Sequence, residues 1–293
     1  MKKIYYITAV FATLFLVGCG DGIDLPGVNV ETDLNKIPLP DNNVNLEQVE
    51  LKPSTEPMLH EGLHTEEDFQ RIRDKKAAGE EPWVSAYQLL VESQFSQKTA
   101  DTYPTEWIKR GISGDENYMN AARGATIVYQ QALRWKIEQD DEYAAKAVEN
   151  LNKWVQTCVG VTGNTNLSLA AGLYGYEFAI AGELLRDYGG WDRADFAAFQ
   201  NWLLKVFYPA NDDFLKRHHD TNALHYWANW CLCNIAAKMA IGIVTDRRDI
   251  YNEGIAHLQT GDTNGRLRRA IYHDYAPDYN FAQWQESGRD QGH

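Results

Sequence analysis

The stretch Tyr118-Met119-Asn120-Ala121-Ala122-Arg123-Gly124-Ala125-Thr126-Ile127-Val128-Tyr129-Gln130-Gln131-Ala132-Leu133-Arg134-Trp135-Lys136-Ile137 decides the fold class. Ala121, Ala122, Ala125, Ile127, Val128, Ala132 and Leu133 fall within one uninterrupted run, at helical spacing and in a composition that favours helix. The same texture recurs near 65–77, 82–97, 141–158, 167–188, 193–207, 222–243 and 247–259, separated by short breaks such as Ala78-Gly79, Gly160-Val161-Thr162-Gly163 and Gly189-Gly190. Alternating β patterns are nearly absent, so the expected class is all-α. Consecutive antiparallel helices joined by short loops must stack their apolar faces, as an open solenoid or as a closed double-layered toroid. No fixed-period repeat favours the solenoid.

Composition narrows the function. A chain of 293 residues, 44% of them hydrophobic, can bury a core without disulfide staples. Its formal charge of −13 is the wrong sign for a nucleic-acid partner. The 9 Trp and 16 Tyr suit a surface that stacks on sugar rings, although tryptophan is first of all a core residue. Charge is uneven: residues 205–293 hold 10 basic and 11 acidic side chains against 18 and 30 in the preceding 204, so the acidic balance does not exclude an anionic ligand from the C-terminal third.

At the N-terminus, Lys2 and Lys3 precede an apolar run from Ile4 to Val17 that is too short to span a bilayer and ends in Leu16-Val17-Gly18-Cys19. Residues 1–18 are read as a signal peptide similar to those of bacterial lipoproteins, with Cys19 as the lipidated residue and membrane anchor. Residues 19–57, rich in Asp, Asn, Pro and Val, are read as a tether, and 58–293 as the catalytic domain. These readings place the protein on the bacterial envelope as a lipid-anchored monomer. Cys158, Cys231 and Cys233 remain, an odd number that argues for small buried side chains rather than a disulfide framework.

The candidate chemistry lies in two polar stretches. In Arg217-His218-His219-Asp220-Thr221-Asn222-Ala223-Leu224-His225-Tyr226-Trp227-Ala228-Asn229-Trp230, Asp220 or Thr221 is expected to cap a helix on which Asn222, His225 and Asn229 share a face. His218, His219 and Asp220 are zinc-type ligands, but adjacent residues rarely ligate together and no second cluster matches, so no metal or other cofactor is expected. With Lys216 and Arg217, His218 reads instead as part of a cationic rim for an acidic substrate, and Trp230 as a substrate contact. The second stretch, Gln283-Trp284-Gln285-Glu286-Ser287-Gly288-Arg289-Asp290-Gln291-Gly292-His293, offers nothing to a core, and its Arg289 presents the planar fork that pairs with a carboxylate.

Residues 225–230, 283–293 and the upstream Glu81-Pro82-Trp83-Val84-Ser85-Ala86-Tyr87 resemble the alginate lyase family over residues 60 to the end. The resemblance implies an (α/α) toroid and eliminative cleavage of alginate or a related polyuronate such as glucuronan. It also implies helices beyond His293, so a toroid incomplete at its C-terminus is expected. Where relatives carry an adjacent Asn-His pair, this chain separates Asn222 from His225 by Ala223 and Leu224.

The chemistry accounts for the residue types. Removing the C5 proton of a uronate requires its carboxylate to be neutralised, the role expected of Arg289 and Asn222. His225 is the candidate base, and Tyr272 or Tyr279 the candidate acid for the O4 leaving group. Gln285, Glu286 and His293 are expected to bind substrate, the latter two also by orienting Arg289. A toroid glycoside hydrolase drafting Glu286, Asp290 or Asp220, and a glycan-binding lipoprotein without catalysis, are the competing readings.

Overall fold

Helices begin where short polar side chains can satisfy the first free N–H groups. α1 (Glu66–Ala77) opens on a capping box in which the Thr65 hydroxyl accepts from Asp68 N at 3.1 Å and the Asp68 carboxylate accepts from Thr65 N at 3.0 Å. α2 (Trp83–Glu92) stops at Ser93, whose hydroxyl accepts from Phe95 N and turns the chain into a single 3-10 turn at Gln94–Ser96. α3 (Tyr118–Glu138) is the helix read from the opening stretch, and α4 (Asp141–Thr157) is capped by Asp140, which accepts from Glu142 N at 3.0 Å. There follow α5 (Leu167–Leu184), α6 (Arg193–Val206), α7 (Tyr208–Arg217), α8 (Ala228–Val244) and α9 (Arg248–Thr260). The computed structural model describes residue 60, residues 62–267, residue 270 and the backbone of two short strands at 273–274 and 282–283. The segments read as signal and tether, Cys19, Tyr272, Tyr279, Gln285, Glu286, Arg289 and His293 lie outside the described residues.

The described helices form two layers. α3, α5 and α8 lie side by side, α4 pairs back on α3 and against α6, α7 packs on α8, and α9 folds back on α8. α5 is buried on nearly every side, and its small residues let its neighbours approach: a Cβ at Gly172 would meet Cys233 Sγ at 2.6 Å and the backbone N of Asn234 at 3.0 Å. Between the layers runs a chain of rings, Trp154 on Phe178 at 5.4 Å, Phe178 on Trp202 at 5.3 Å and Trp202 on Phe207 at 5.0 Å.

The class expected from periodicity, all-α, is the class observed, with three local differences. Strands β1 (Trp107–Arg110) and β2 (Gly160–Gly163) form a parallel pair, Trp107 opposite Gly160 through Arg110 opposite Gly163. So short a ladder has too few residues for a period to register. The loop before β1 is pinned from the helices: Asn150 accepts from Thr102 N at 3.1 Å, and Gln131 donates to the Gln97 and Ala100 carbonyls at 2.9 and 3.1 Å. α7 lies between 207 and 222, where no helix is expected from the sequence, and its Pro209 occupies the first turn, where no N–H is needed.

The third difference bears on the site. The helix expected over 222–243 begins at Ala228, and its cap position is Trp227, not Asp220 or Thr221. Asn222 instead folds its side chain onto the following backbone, accepting from Leu224 N at 2.8 Å, while His225 N donates to Asn222 O at 2.9 Å. This local turn competes with helix. Asn222, His225 and Asn229 therefore do not share a helical face.

Candidate active site

The link from α7 to α8 is held in an unusual conformation. His218, His219 and Asp220 have φ of 49°, 52° and 59°, three successive side-chain-bearing residues in the left-handed region. Each such residue costs about 1–2 kcal/mol, so the surroundings must hold the turn. The His218 ring is buried, 5.0 Å from that of Phe214, with its Nε2 3.9 Å from Cys231 Sγ. Burial lowers its pKa, with His219 adding to the effect. Thr221 ties the turn shut by donating its N–H and its hydroxyl to His218 O at 3.1 and 2.6 Å. Asn264 fixes the far end through bonds to the Leu224 and Tyr226 carbonyls at 3.0 and 2.8 Å.

This geometry aims His219 at the N-terminal end of α5, where its Nε2 lies 3.0 Å from the Ser168 hydroxyl. Tyr226, buried beside it, contacts His219 edge-on at 5.8 Å and His225 at 4.9 Å. His225 is exposed at the tip of the link.

Arg110 approaches α5 further along, at Tyr174, six residues on from Ser168. In β1, Ile108 is buried without exposure, and Arg110 points to the same inner face. Its guanidinium lies 4.7 Å from the Tyr118 ring centroid, and its charge reaches Tyr174 on α5 and Cys233 on α8. Nη1 is buried and makes no hydrogen bond, and among the described residues Arg110 has no carboxylate partner. A buried guanidinium nitrogen left without an acceptor is costly, and on a residue that is only partly buried it marks a place where an anion would be favoured. Gly163 opposite permits the close approach: its φ is 149°, and a Cβ there would meet Arg110 O at 1.7 Å.

Further along the seam of α3 and α5 lies a row of acidic groups whose ionisation burial opposes. Glu177 accepts from the Thr126 hydroxyl at 3.1 Å, and burial pushes its carboxyl up to about 7. Burial also raises the Tyr174 and Tyr129 hydroxyls and pushes Tyr176 up to about 12. His64 Nε2 is 2.6 Å from Tyr129 Oη, with its own pKa lowered by burial.

Several expected site residues sit elsewhere than their roles require. Arg217 pairs with Asp213 at 2.6 Å and Asp220 at 3.0 Å, and Lys216 with Asp212 at 2.8 Å, so the expected cationic rim is interleaved with acids in exposed pairs. His218 faces the interior rather than a substrate. Trp230 is half-buried in a small second core, 4.7 Å from the Tyr226 ring and 6.0 Å from that of Phe214. The adjacent histidines point apart, and among the described residues no group of three or more His, Cys, Asp or Glu is placed to hold a metal ion. Sequence reasoning missed Arg110, which carries no motif. It also missed Glu177, which had left a legible signal as a carboxyl in the mostly apolar sequence of α5. In an open depression on α1, Lys75 pairs with Glu80 and Arg71 with the neighbouring Asp68.

A family model described as alginate lyase matches residues 72–270. The match spans β1, α3, the strained link and both layers of helices. No curated protein matches the chain.

Proposed function

The chain belongs to the alginate lyase family, polysaccharide lyases, and from that premise we propose that it cleaves a uronate polymer, alginate or glucuronan, by β-elimination. The observation that carries this reading is the Arg110 guanidinium, aimed inward between Tyr118 and Tyr174 with Nη1 unbonded. A lyase must offer the uronate carboxylate such a partner, because the charge that develops when C5 loses its proton delocalises onto that group. Arg110 takes this role from the side of β1. Asn222 and Arg289 are the partners offered by the sequence.

His225, exposed and resting on Tyr226, removes the C5 proton. The electron pair of that bond forms the C4–C5 double bond, the C4–O4 bond breaks, and a tyrosine protonates O4. Tyr272 and Tyr279 are the tyrosines expected from the sequence, and Tyr226 is the one that the described residues bring against both histidines. No step needs a cofactor. The two-layer hairpins are then an arc of an (α/α) toroid. Glu177 has the acidity of a general acid, but its neighbours Thr126, Tyr174 and Tyr176 supply no second carboxylate for hydrolysis. Incubation with alginate or glucuronan tests the reading. A lyase generates ultraviolet absorbance from the unsaturated product, reducing ends without absorbance point to a hydrolase, and neither product points to a binder.

The proposed location is the bacterial envelope, through a lipid on Cys19, with the domain acting as a monomer. Among the described residues no helix is long and apolar enough to cross a membrane. Cys19→Ser is expected to move the protein from the detergent phase to the aqueous phase in phase separation, and unchanged partitioning would refute the anchor.

A further inference from the structure

The two faces of β1 do different things. Ile108 and Arg110 point inward, so Trp107 and Lys109 alternate to the outside. The Trp107 ring lies against Gly160, close enough that a Cβ there would meet its six-membered ring at 2.5, 3.0 and 3.1 Å. The indole thus packs closely against the β2 backbone, and the residue as a whole remains 43% exposed. A ring held in this way and still open to solvent is a rigid platform, able to stack without first losing side-chain freedom.

One step along the same outer face, Lys109 sits opposite Thr162. Two residues of strand place the Lys109 and Trp107 side chains about 7 Å apart, the scale of one sugar ring and its substituent. The Lys109 ammonium pairs with Asp115 at 2.7 Å, but Asp115 is 64% exposed, and such a surface pair exchanges readily for another anion. An aromatic platform flanked by a cation and a hydroxyl is complementary to an acidic sugar, with its apolar ring face, carboxylate and hydroxyls.

We propose that the outer face of the β1–β2 ladder is a second polysaccharide-binding site, where Trp107 stacks on a uronate ring, Lys109 meets a carboxylate and Thr162 hydrogen-bonds a hydroxyl. The inference rests on the polyuronate reading of the preceding subsection. Polymer held on the strand that carries Arg110 is kept at high local concentration beside the interior site.

The test is retardation of the full chain in gels containing alginate or glucuronan, with unsaturated-product absorbance measured in parallel. Trp107→Ala is expected to bind polymer about tenfold more weakly, the loss of one aromatic stacking contact. KM should rise on polymer and rise less on oligomers too short to reach both sites. Trp107→Phe keeps a ring over Gly160 and should retain most of the binding, and Lys109→Gln should weaken it in a salt-dependent way. If Trp107→Ala does not fold, Trp107→Phe and Lys109→Gln carry the test, and wild-type retardation of Lys109→Gln at low salt overturns the site. Cleavage by the wild type with equal retardation of a folded Trp107→Ala overturns the second site and leaves the lyase reading intact. Retardation that Trp107→Ala abolishes, without any unsaturated product, supports the site and overturns the lyase reading. If the wild type is neither retarded nor active on either polymer, both fall.

Discussion

Arg110→Ala is expected to lower kcat/KM on the polyuronate by a hundredfold or more, roughly 3–4 kcal/mol of transition-state stabilisation, the usual cost of removing one charge-stabilising donor. The loss should fall mainly on kcat, because the carboxylate carries more charge in the enolate-like transition state than in bound substrate. Stability should behave differently. The guanidinium makes no hydrogen bond through Nη1, and its described contact is the Tyr118 ring at 4.7 Å, worth about 0.5–1 kcal/mol, so the melting temperature should change little. Arg110→Lys keeps the charge but loses the fork, and should recover part of the rate. Wild-type turnover by a folded Arg110→Ala enzyme would remove Arg110 from the chemistry. A large drop in melting temperature with proportionate loss of activity would make it a structural residue.

A second large effect is expected at Glu177. Burial pushes its carboxyl up to about 7 from the ordinary 4.5, so the folded state holds a proton that the unfolded state releases across that interval. Stability from this group is complete below pH 4.5 and is lost as pH rises towards 7, by about 3 kcal/mol in all. His64, His218 and His257, lowered by burial, act in the opposite sense, because in the acid range the unfolded chain binds protons that they refuse. Subtracting the curve of Glu177→Gln from that of the wild type isolates the carboxyl. Glutamine keeps an acceptor for Thr126 and cannot ionise, so the variant should be more stable than the wild type at pH 8 and nearly equal to it at pH 4.5. At roughly 2–4 °C per kcal/mol for a domain of this size, the gap is readily measured by thermal unfolding. Parallel melting curves from pH 4.5 to 8 would show that Glu177 ionises normally.

The sequence by itself determined the helical class, the register of most helices and the family, because burying one side of a helix imposes a local spacing on the chain. The 21 residues of α3 announce themselves in this way, as do α4 and α6 with their aspartate caps. It also located the segment 217–230 as polar and aromatic. Only the tertiary structure decided what that segment does. Whether Asn222 begins a helix or folds into a turn is a contest between nearly equal local options, decided by the burial of His218 against Phe214 and by Asn264 gripping the Leu224 and Tyr226 carbonyls from 38 to 40 residues away. Arg110 shows the same limit. Its role comes from a ladder partner 53 residues on in the chain and from rings on α3 and α5, contacts between segments whose separation leaves no period to read. Apolar spacing records which face of a helix is buried, but an unpaired charge becomes meaningful only when the fold determines what stands around it.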